Sequence, residues 1–430
     1  MINLYYDRFE NKFPVPNGCK EYSIVKENIA TPYVTDQSPV HPVTMFYFTM
    51  LAEGTDVEFS DTGYYPIELS FHSQKNIISF IPRDTIRKLS EKKIKLLLLY
   101  QEEGADIHTA MLVKKVADSF LFEGVPEDNI YIVLGDLNIA YKEFLLPYKT
   151  FGIDWWQVKH KLTCLSRYNE GEYLYTSFRN YDSKLSDEQK QIETFDIDTW
   201  TNPSKKFLCY NGNNRIHRLG LVSEILTRNL LNQGYLSYNI YTNSACEIQS
   251  DDARIVDKKK PSKYLQNKIN SIEWLNSNKL YIDYKSNTFW NDDRRYNAKH
   301  YKNTLFSIVT ETYAGHTTSI YPQEQNVLWT TEKTWKPVAI GHPFMILGSV
   351  GTIEYLRSEG YKTFDMLFDE SYDQETNMIK RIEMICNNIE KATQENFEEV
   401  KHVVKYNKQL FYTKKHRDKF YNLFREMNNG

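Results

Sequence analysis

Leu305-Phe306-Ser307-Ile308-Val309-Thr310-Glu311 and Thr330-Thr331-Glu332-Lys333-Thr334-Trp335-Lys336-Pro337, with the run Val338-Ala339-Ile340-Gly341-His342-Pro343-Phe344-Met345-Ile346-Leu347-Gly348, decide the fold. The first stretch is apolar and holds two β-branched aliphatic residues, and it ends on an acid, as a buried strand reaching a sheet edge does. A loop containing Gly315 follows. Thr330 or Thr331 offers a hydroxyl to a helix start, and Glu332 in the first turn suits the positive end of the helix dipole. Gly341 and Pro343 stop that helix, and a second apolar run begins. Strand, acid, loop, helix, strand is the order of a βα unit in a parallel sheet.

Outward from this block the pattern repeats. Lys206–Asn211 reads as a strand, Asn211–Asn214 as a polar loop, His217–Asn229 as a helix and Gly234–Tyr241 as a strand. Nearer the start, Tyr65–Phe71, Ile77–Ile81, Lys95–Tyr100 and Asn129–Asp136 read as strands. Pro82–Ser90 and Thr109–Phe122 read as helices, the second with Met111, Leu112, Val116 and Phe120 near helical spacing. Glu170–Thr201 is polar and reads as a connector, Asp251–Asn297 as an insertion, and Asn377–Asn428 as two helices. The fold class is therefore α/β. The expected domains are 1–200 and 201–385, followed by C-terminal helices over 386–430 for which the first domain is a surface to pack back on.

The bulk numbers bound the rest. A chain of 430 residues is long for one core and comfortable for two. With 41% hydrophobic and 25% charged residues it has a soluble globular composition. No uncharged apolar run reaches the length of a membrane span, and the first residues do not read as a signal peptide. The five cysteines form no CxxC pair, so neither a zinc knuckle nor a disulfide framework is expected, and an intracellular, reducing setting is. Net charge is −3, but Lys401 to Gly430 carries a local excess of cations, and Lys258-Lys259-Lys260 with Lys263 forms another basic cluster. Such runs are usually solvated faces, and they are also where phosphates bind. The sequence has no GxxxxGK[ST], GxGxxG or HExxH motif and no metal site is expected.

Four constellations carry candidate chemistry. At Asn211-Gly212-Asn213-Asn214-Arg215-Ile216-His217-Arg218 a strand runs into a polar loop, and a helix begins with two arginines and a histidine. A helix N-terminus offers free N–H groups to a pyrophosphate, and Arg binds phosphate oxygens in bidentate fashion. Glu311 stands at a strand's C-terminal edge, where open α/β sheets collect ligands and where a carboxylate accepts ribose or sugar hydroxyls. Glu332-Lys333 pairs an acceptor for hydroxyls with a cation for a diphosphate. An ordinary helix first turn looks the same, and strand-end acids also pair with surface cations. Glu102 and Glu103, after the strand ending at Tyr100, are candidates for a general base, with His72 behind them.

These residues resemble a family. Phe306–Glu311, Thr331-Glu332-Lys333-Thr334-Trp335 and Gly341–Gly348 are similar to the donor-binding half of fucosyltransferases and related GT-B glycosyltransferases. The loop Asn211–Arg218, the block Thr331–Pro337, and Gly360-Tyr361-Lys362-Thr363-Phe364 with Asp369-Glu370-Ser371-Tyr372-Asp373 resemble virus- and phage-encoded glycosyltransferase-like proteins. The likeness covers residues 205 to 385. It implies a GT-B fold, two Rossmann-like domains facing a central cleft, with a nucleoside diphosphate sugar held by the second. It also implies that Arg218, or Arg215 in its place, contacts the diphosphate, that Glu311, Glu332 and Lys333 grip the nucleotide sugar, and that Glu103 or Glu102 is the catalytic base. No metal or other cofactor is implied. The acceptor is a hydroxyl, on a hydroxymethylated base of double-stranded phage DNA or on a glycan or lipid-linked sugar. A non-catalytic nucleic-acid-binding protein on the same fold is the reading from another class. The implied location is the cytoplasm, that of the host cell for a viral protein.

Overall fold

The computed structural model describes residues 1–5, 50, 53–69, 77–100, 107–154, 157, 195–211, 215–238, 270–271, 298–314, 327–414 and 416–429. These form an α/β protein with parallel sheets, compatible with a Rossmann-like fold. The chain divides into two compact units, Met1–Leu185 with Lys414–Gly430, and Ser186–Thr413. Among the described residues no helix is long and apolar enough to cross a membrane.

The first unit holds β1 (Ile2–Leu4), β2 (Val57–Phe59), β3 (Gly63–Leu69), α1 (Arg83–Ser90), β4 (Ile94–Tyr100), α2 (Ile107–Phe122), β5 (Ile130–Leu134) and β6 (Lys149–Gly152). Its strands make one parallel sheet in the order β2-β1-β3-β4-β5-β6. β4 reads as an unbroken apolar run because a parallel strand is covered on both faces, and Leu96 to Leu99 are fully buried. Gly63, at φ 113°, lets β3 approach β1: a Cβ there would meet the Asn3 carbonyl oxygen at 2.3 Å.

Two sequence expectations fail here. Ile77–Phe80 is a 3-10 turn and not a strand. So short an apolar run has no measurable period, and Ile78 and Ile81 are buried just as strand residues would be. In α2 the inward residues are Ala110, Val113, Val116, Ala117 and Phe120, whereas Met111 is 52% exposed. Small residues complete the buried stripe, and a large apolar residue beside it faces water.

The tail forms three helices and not two: α7 (Met378–Lys391), α8 (Phe397–Thr413) and α9 (Arg417–Asn429), in the numbering completed below. The break before α9 has no Gly or Pro to announce it. α9 belongs to the first unit, where Phe420, Leu423, Phe424 and Met427 join Leu4, Tyr64, Leu97, Leu99, Tyr131 and Val133 in one core. Their spacing is one face of a helix. Phe424 meets Tyr64 edge-on at 5.1 Å, Asn428 Oδ1 accepts from the Tyr64 hydroxyl at 2.8 Å, and buried Glu53 accepts from the His416 N–H at 2.7 Å.

The second unit holds β7 (Lys205–Asn211), α3 (Ile216–Thr227), β8 (Gly234–Tyr238), α4 (Ala298–Lys302), β9 (Thr304–Thr310), α5 (Glu332–Ile340), β10 (Phe344–Leu347) and α6 (Thr352–Ser358), then α7 and α8. The parallel sheet runs β10-β9-β7-β8. α3 packs on α7 and α5 on α8, where Trp335 stacks with Phe411 at 6.2 Å. Residues 195–200, expected to lie in a connector, belong to this unit's core: Phe195, Ile197 and Trp200 are buried, with Trp200 4.5 Å from Phe397. The chain goes from β7 to β8 on one side and returns to β9 on the other. The strand order therefore reverses between β7 and β9, and the crevice beyond their C-terminal ends is the ligand position of open α/β sheets.

His342, between α5 and β10, is fully enclosed. Its Nε2 lies 3.0 Å from the Thr304 carbonyl, which only accepts, so Nε2 carries the hydrogen and Nδ1 accepts from the Ser307 hydroxyl at 2.9 Å. Burial pushes its pKa down to about 4. Above pH ~6.5 the ring is neutral folded or unfolded; below it the unfolded chain takes a proton that the fold refuses. Stability should fall as pH drops from ~6.5 toward 4, with roughly 3 kcal/mol from this residue. Urea titrations across that range should show a shallower fall for His342→Gln, whose amide can donate to Thr304 and accept from Ser307. Phe424→Ala should destabilise the first unit by roughly 3–5 kcal/mol, read by denaturant unfolding followed by circular dichroism.

Candidate functional site

The C-terminal ends of β7, β8 and β9 are tied together before any ligand arrives. Asn211, the last residue of β7, donates to the Ser237 carbonyl in β8 at 3.0 Å and accepts from the Thr310 hydroxyl in β9 at 2.7 Å. From α3, Arg218 donates through Nη2 to the carbonyls of Thr310 and Glu311, each at 3.0 Å. His217 reaches the same Glu311 carbonyl through Nε2 at 2.8 Å, and that nitrogen must be the donor. The first turn of the helix that follows β7 thus holds the end of the neighbouring strand.

Glu311 passes this constraint on. Its side chain is wholly buried, and Gly348 leaves room for it: a Cβ at 348 would lie 3.1 Å from Glu311 Cγ. Its Oε1 accepts from the Thr331 N–H at 3.0 Å, the Thr334 N–H at 3.1 Å and the Thr334 hydroxyl at 2.5 Å. Its Oε2 accepts from the Thr331 hydroxyl at 2.6 Å and the Thr312 N–H at 3.2 Å. A carboxylate therefore fills the anion position at the N-terminus of α5, where backbone N–H groups and the helix dipole favour it. Thr331 is the N-cap and accepts from the Lys333 N–H at 3.2 Å, while Thr330 accepts from the Trp335 indole at 3.1 Å.

At the mouth of this arrangement Lys333 Nζ meets Glu332 Oε1 at 2.6 Å, Thr312 Oγ1 at 3.2 Å and Thr331 Oγ1 at 3.4 Å. The side chains of Glu332 and Lys333 are 7% and 15% exposed. Arg215 is exposed at the N-cap of α3, and its own side chain makes no capping hydrogen bond.

The structure thus brings Arg218, Glu311, Glu332 and Lys333 to residues 310–312 and places Arg215 at the start of the same helix as Arg218. Two of these residues are held by protein groups. Arg218, expected on a diphosphate, is 2% exposed and its Nη2 is committed to strand-end carbonyls. Glu311, expected to accept ligand hydroxyls, is committed to protein donors. Glu102, Glu103, His72, Gly315 and the basic cluster at 258–263 lie outside the described residues.

Sequence reasoning missed Arg381. Lying 1% exposed in α7, it donates to the Gly348 carbonyl at 2.6 Å and the Ser349 carbonyl at 3.2 Å, with Asp373 at 3.6 Å. It clasps the end of β10 as Arg218 clasps that of β9. Burial pushes the Asp373 carboxyl up, against the pull of Arg381. The signal was an arginine inside the apolar stripe Met378, Ile382, Ile385, Ile389. The segment Asp369–Asp373 is scaffold too. Glu370 accepts from the Phe364 N–H at 2.7 Å and the Thr363 hydroxyl at 2.9 Å and pairs with Arg357; Asp373 accepts from the Ile353 N–H at 3.1 Å. The cationic tail is not one open face: Lys401 pairs with Glu398, Lys405 with Asp198, and Lys419 donates to Gln157.

Among the described residues no group of three or more His, Cys, Asp or Glu could hold a metal ion. No family model, no curated protein and no solved structure matches this chain. The reading of the site therefore rests on its own residues.

Glu311→Gln should cost the second unit roughly 3 kcal/mol, because an amide NH2 replaces an oxygen among donors that stay buried. Urea unfolding followed by the fluorescence of buried Trp200, Trp329 and Trp335 measures it; an unchanged midpoint would show that the junction carries no energy.

Proposed function

We propose that the second unit binds a nucleoside diphosphate sugar at the β7/β9 crevice and that the chain transfers the sugar to an acceptor hydroxyl. The observation that supports this reading is the meeting of two helix starts, α3 and α5, on residues 310–312 at the point where strand order reverses. One start carries exposed Arg215 at its N-cap position. The other carries Lys333, 15% exposed, in its first turn. Departure of a nucleoside diphosphate builds negative charge on the leaving oxygens, and pre-placed cations in a partly dry site lower that barrier most. In this proposal Lys333 and Arg215 meet the diphosphate, while Arg218 and His217 act through the backbone by fixing the strand end. A GT-B arrangement, with Glu103 or Glu102 of the first unit taking the acceptor proton, is part of the same proposal.

On the acceptor side, the proposal keeps two hydroxyls, that of a hydroxymethylated base in DNA and that of a glycan or lipid-linked sugar; of the tail cations that point to a polyanion, Lys401 and Lys405 pair with Glu398 and Asp198. Transfer to hydroxymethylated DNA predicts retardation of that DNA with a steep salt dependence. A glycan acceptor predicts none.

A thermal-shift screen of UDP-, GDP- and CMP-sugars should give one nucleotide class that raises the melting point, since a ligand held only by the native state stabilises it. Lys333→Met should lower the melting point of the free protein, because it leaves the buried Glu332 carboxylate without its cation, and should weaken that ligand about tenfold or more. Undiminished affinity in this variant removes the site assignment.

A further inference from the structure

Lys333 sits in the first turn of α5, at the positive end of the helix dipole, where a cation is disfavoured. It is held there by oxygens: Glu332 Oε1 at 2.6 Å, Thr312 Oγ1 at 3.2 Å and Thr331 Oγ1 at 3.4 Å. An ammonium has three donors, so these three acceptors can occupy all of them. The neighbouring anion position, at the backbone N–H groups of α5, is taken by Glu311. An incoming anion therefore finds α5's cation already engaged and a carboxylate beside it, and two like charges on one ammonium repel.

We infer that the Glu332–Lys333 pair is a latch: an anionic ligand at this crevice takes Nζ away from Glu332, whose carboxylate must turn aside for binding to occur. This rests on the diphosphate-binding reading above and adds to it that the cation of the site is paired by the chain's own carboxylate. Glu332 is then a restraint on ligand entry and not a handle for ligand hydroxyls, which reverses the role that the sequence motif assigned to it. The exchange is of the non-covalent kind throughout, one anion for another around a fixed cation.

The test is isothermal titration of the full chain with UDP, GDP, CDP and ADP, using whichever binds the unaltered protein most tightly. Glu332→Gln should tighten that nucleotide by roughly tenfold, since one competing charge is removed at contact distance. Thr312→Val, which removes an uncharged acceptor and keeps every charge, should tighten it about twofold and covers the case in which Glu332→Gln does not fold. The combination of Glu332→Gln with Lys333→Met should gain less over Lys333→Met alone than Glu332→Gln gains over the unaltered chain, because the competition for the ammonium is then absent. Weaker or unchanged binding in Glu332→Gln, with Lys333→Met still weakened, overturns the latch and leaves the diphosphate site standing. If no nucleoside diphosphate binds the unaltered chain or any variant, the site reading falls and the latch falls with it.

Discussion

The buried carboxylate of Glu311 is the constraint on which the second unit's ligand edge depends. Its five donors come from residues 312, 331 and 334, so one side chain joins the end of β9 to the start of α5. Hydrogen bonds to a charged acceptor are worth roughly 1.5–3 kcal/mol each when its partners are in place, and an unsatisfied buried charge costs more than that. The arrangement is therefore close to all-or-none. A β9 end that drifted would leave both the carboxylate and the helix N–H groups unpaired, and Lys333 would lose the threonines that aim it.

Arg218 and Arg381 extend the same solution sideways. A parallel sheet leaves carbonyls at its C-terminal edge without partners from the ladder, and buried carbonyls need donors. Arg218 supplies them for β9 and Arg381 for β10. A guanidinium suits this because its planar fork spans two successive carbonyls and never deprotonates in a protein. Removing either arginine would free no phosphate-binding group. It would leave strand-end carbonyls bare and would reach a ligand only through the altered backbone.

How far the sequence showed this depends on what each residue answers to. The βα order and the buried strands were legible because their apolar periods are set by local geometry: β4, β7, β9 and β10 lie where their apolar runs lie. A threonine cap at 330 or 331 was legible for the same reason, and the structure places it at Thr331. Ile77–Phe80 was not, because a short apolar run satisfies a strand and a 3-10 turn equally. The helix α9 looked like a continuation of α8, and only the apolar face of the first sheet explains why the chain breaks there. In the site, residue identity was legible and depth was not. Arg218 and Glu311 have the chemistry of ligand contacts, but depth in the fold decides what they touch, and depth is a property of the sheet order and not of the motif.

Charge balance carries the last step. Around residues 310–312 stand two carboxylates, Glu311 and Glu332, and two cations, Arg218 and Lys333, so this inner set is neutral by formal charge. Burying four charged groups costs desolvation, which their mutual pairing and their hydrogen bonds to Thr310, Thr312, Thr331 and Thr334 offset. A diphosphate adds negative charge to it and needs surplus cations. Along the chain the exposed cation next to Arg218 is Arg215, at the N-cap position of α3. Under the proposed diphosphate reading, tight binding would need both the outer arginine and the release of Lys333 from Glu332, because neither change alone offsets the charge of a pyrophosphate. Such a site would favour a pyrophosphate over a small or weakly charged anion, which gains too little to open the pair.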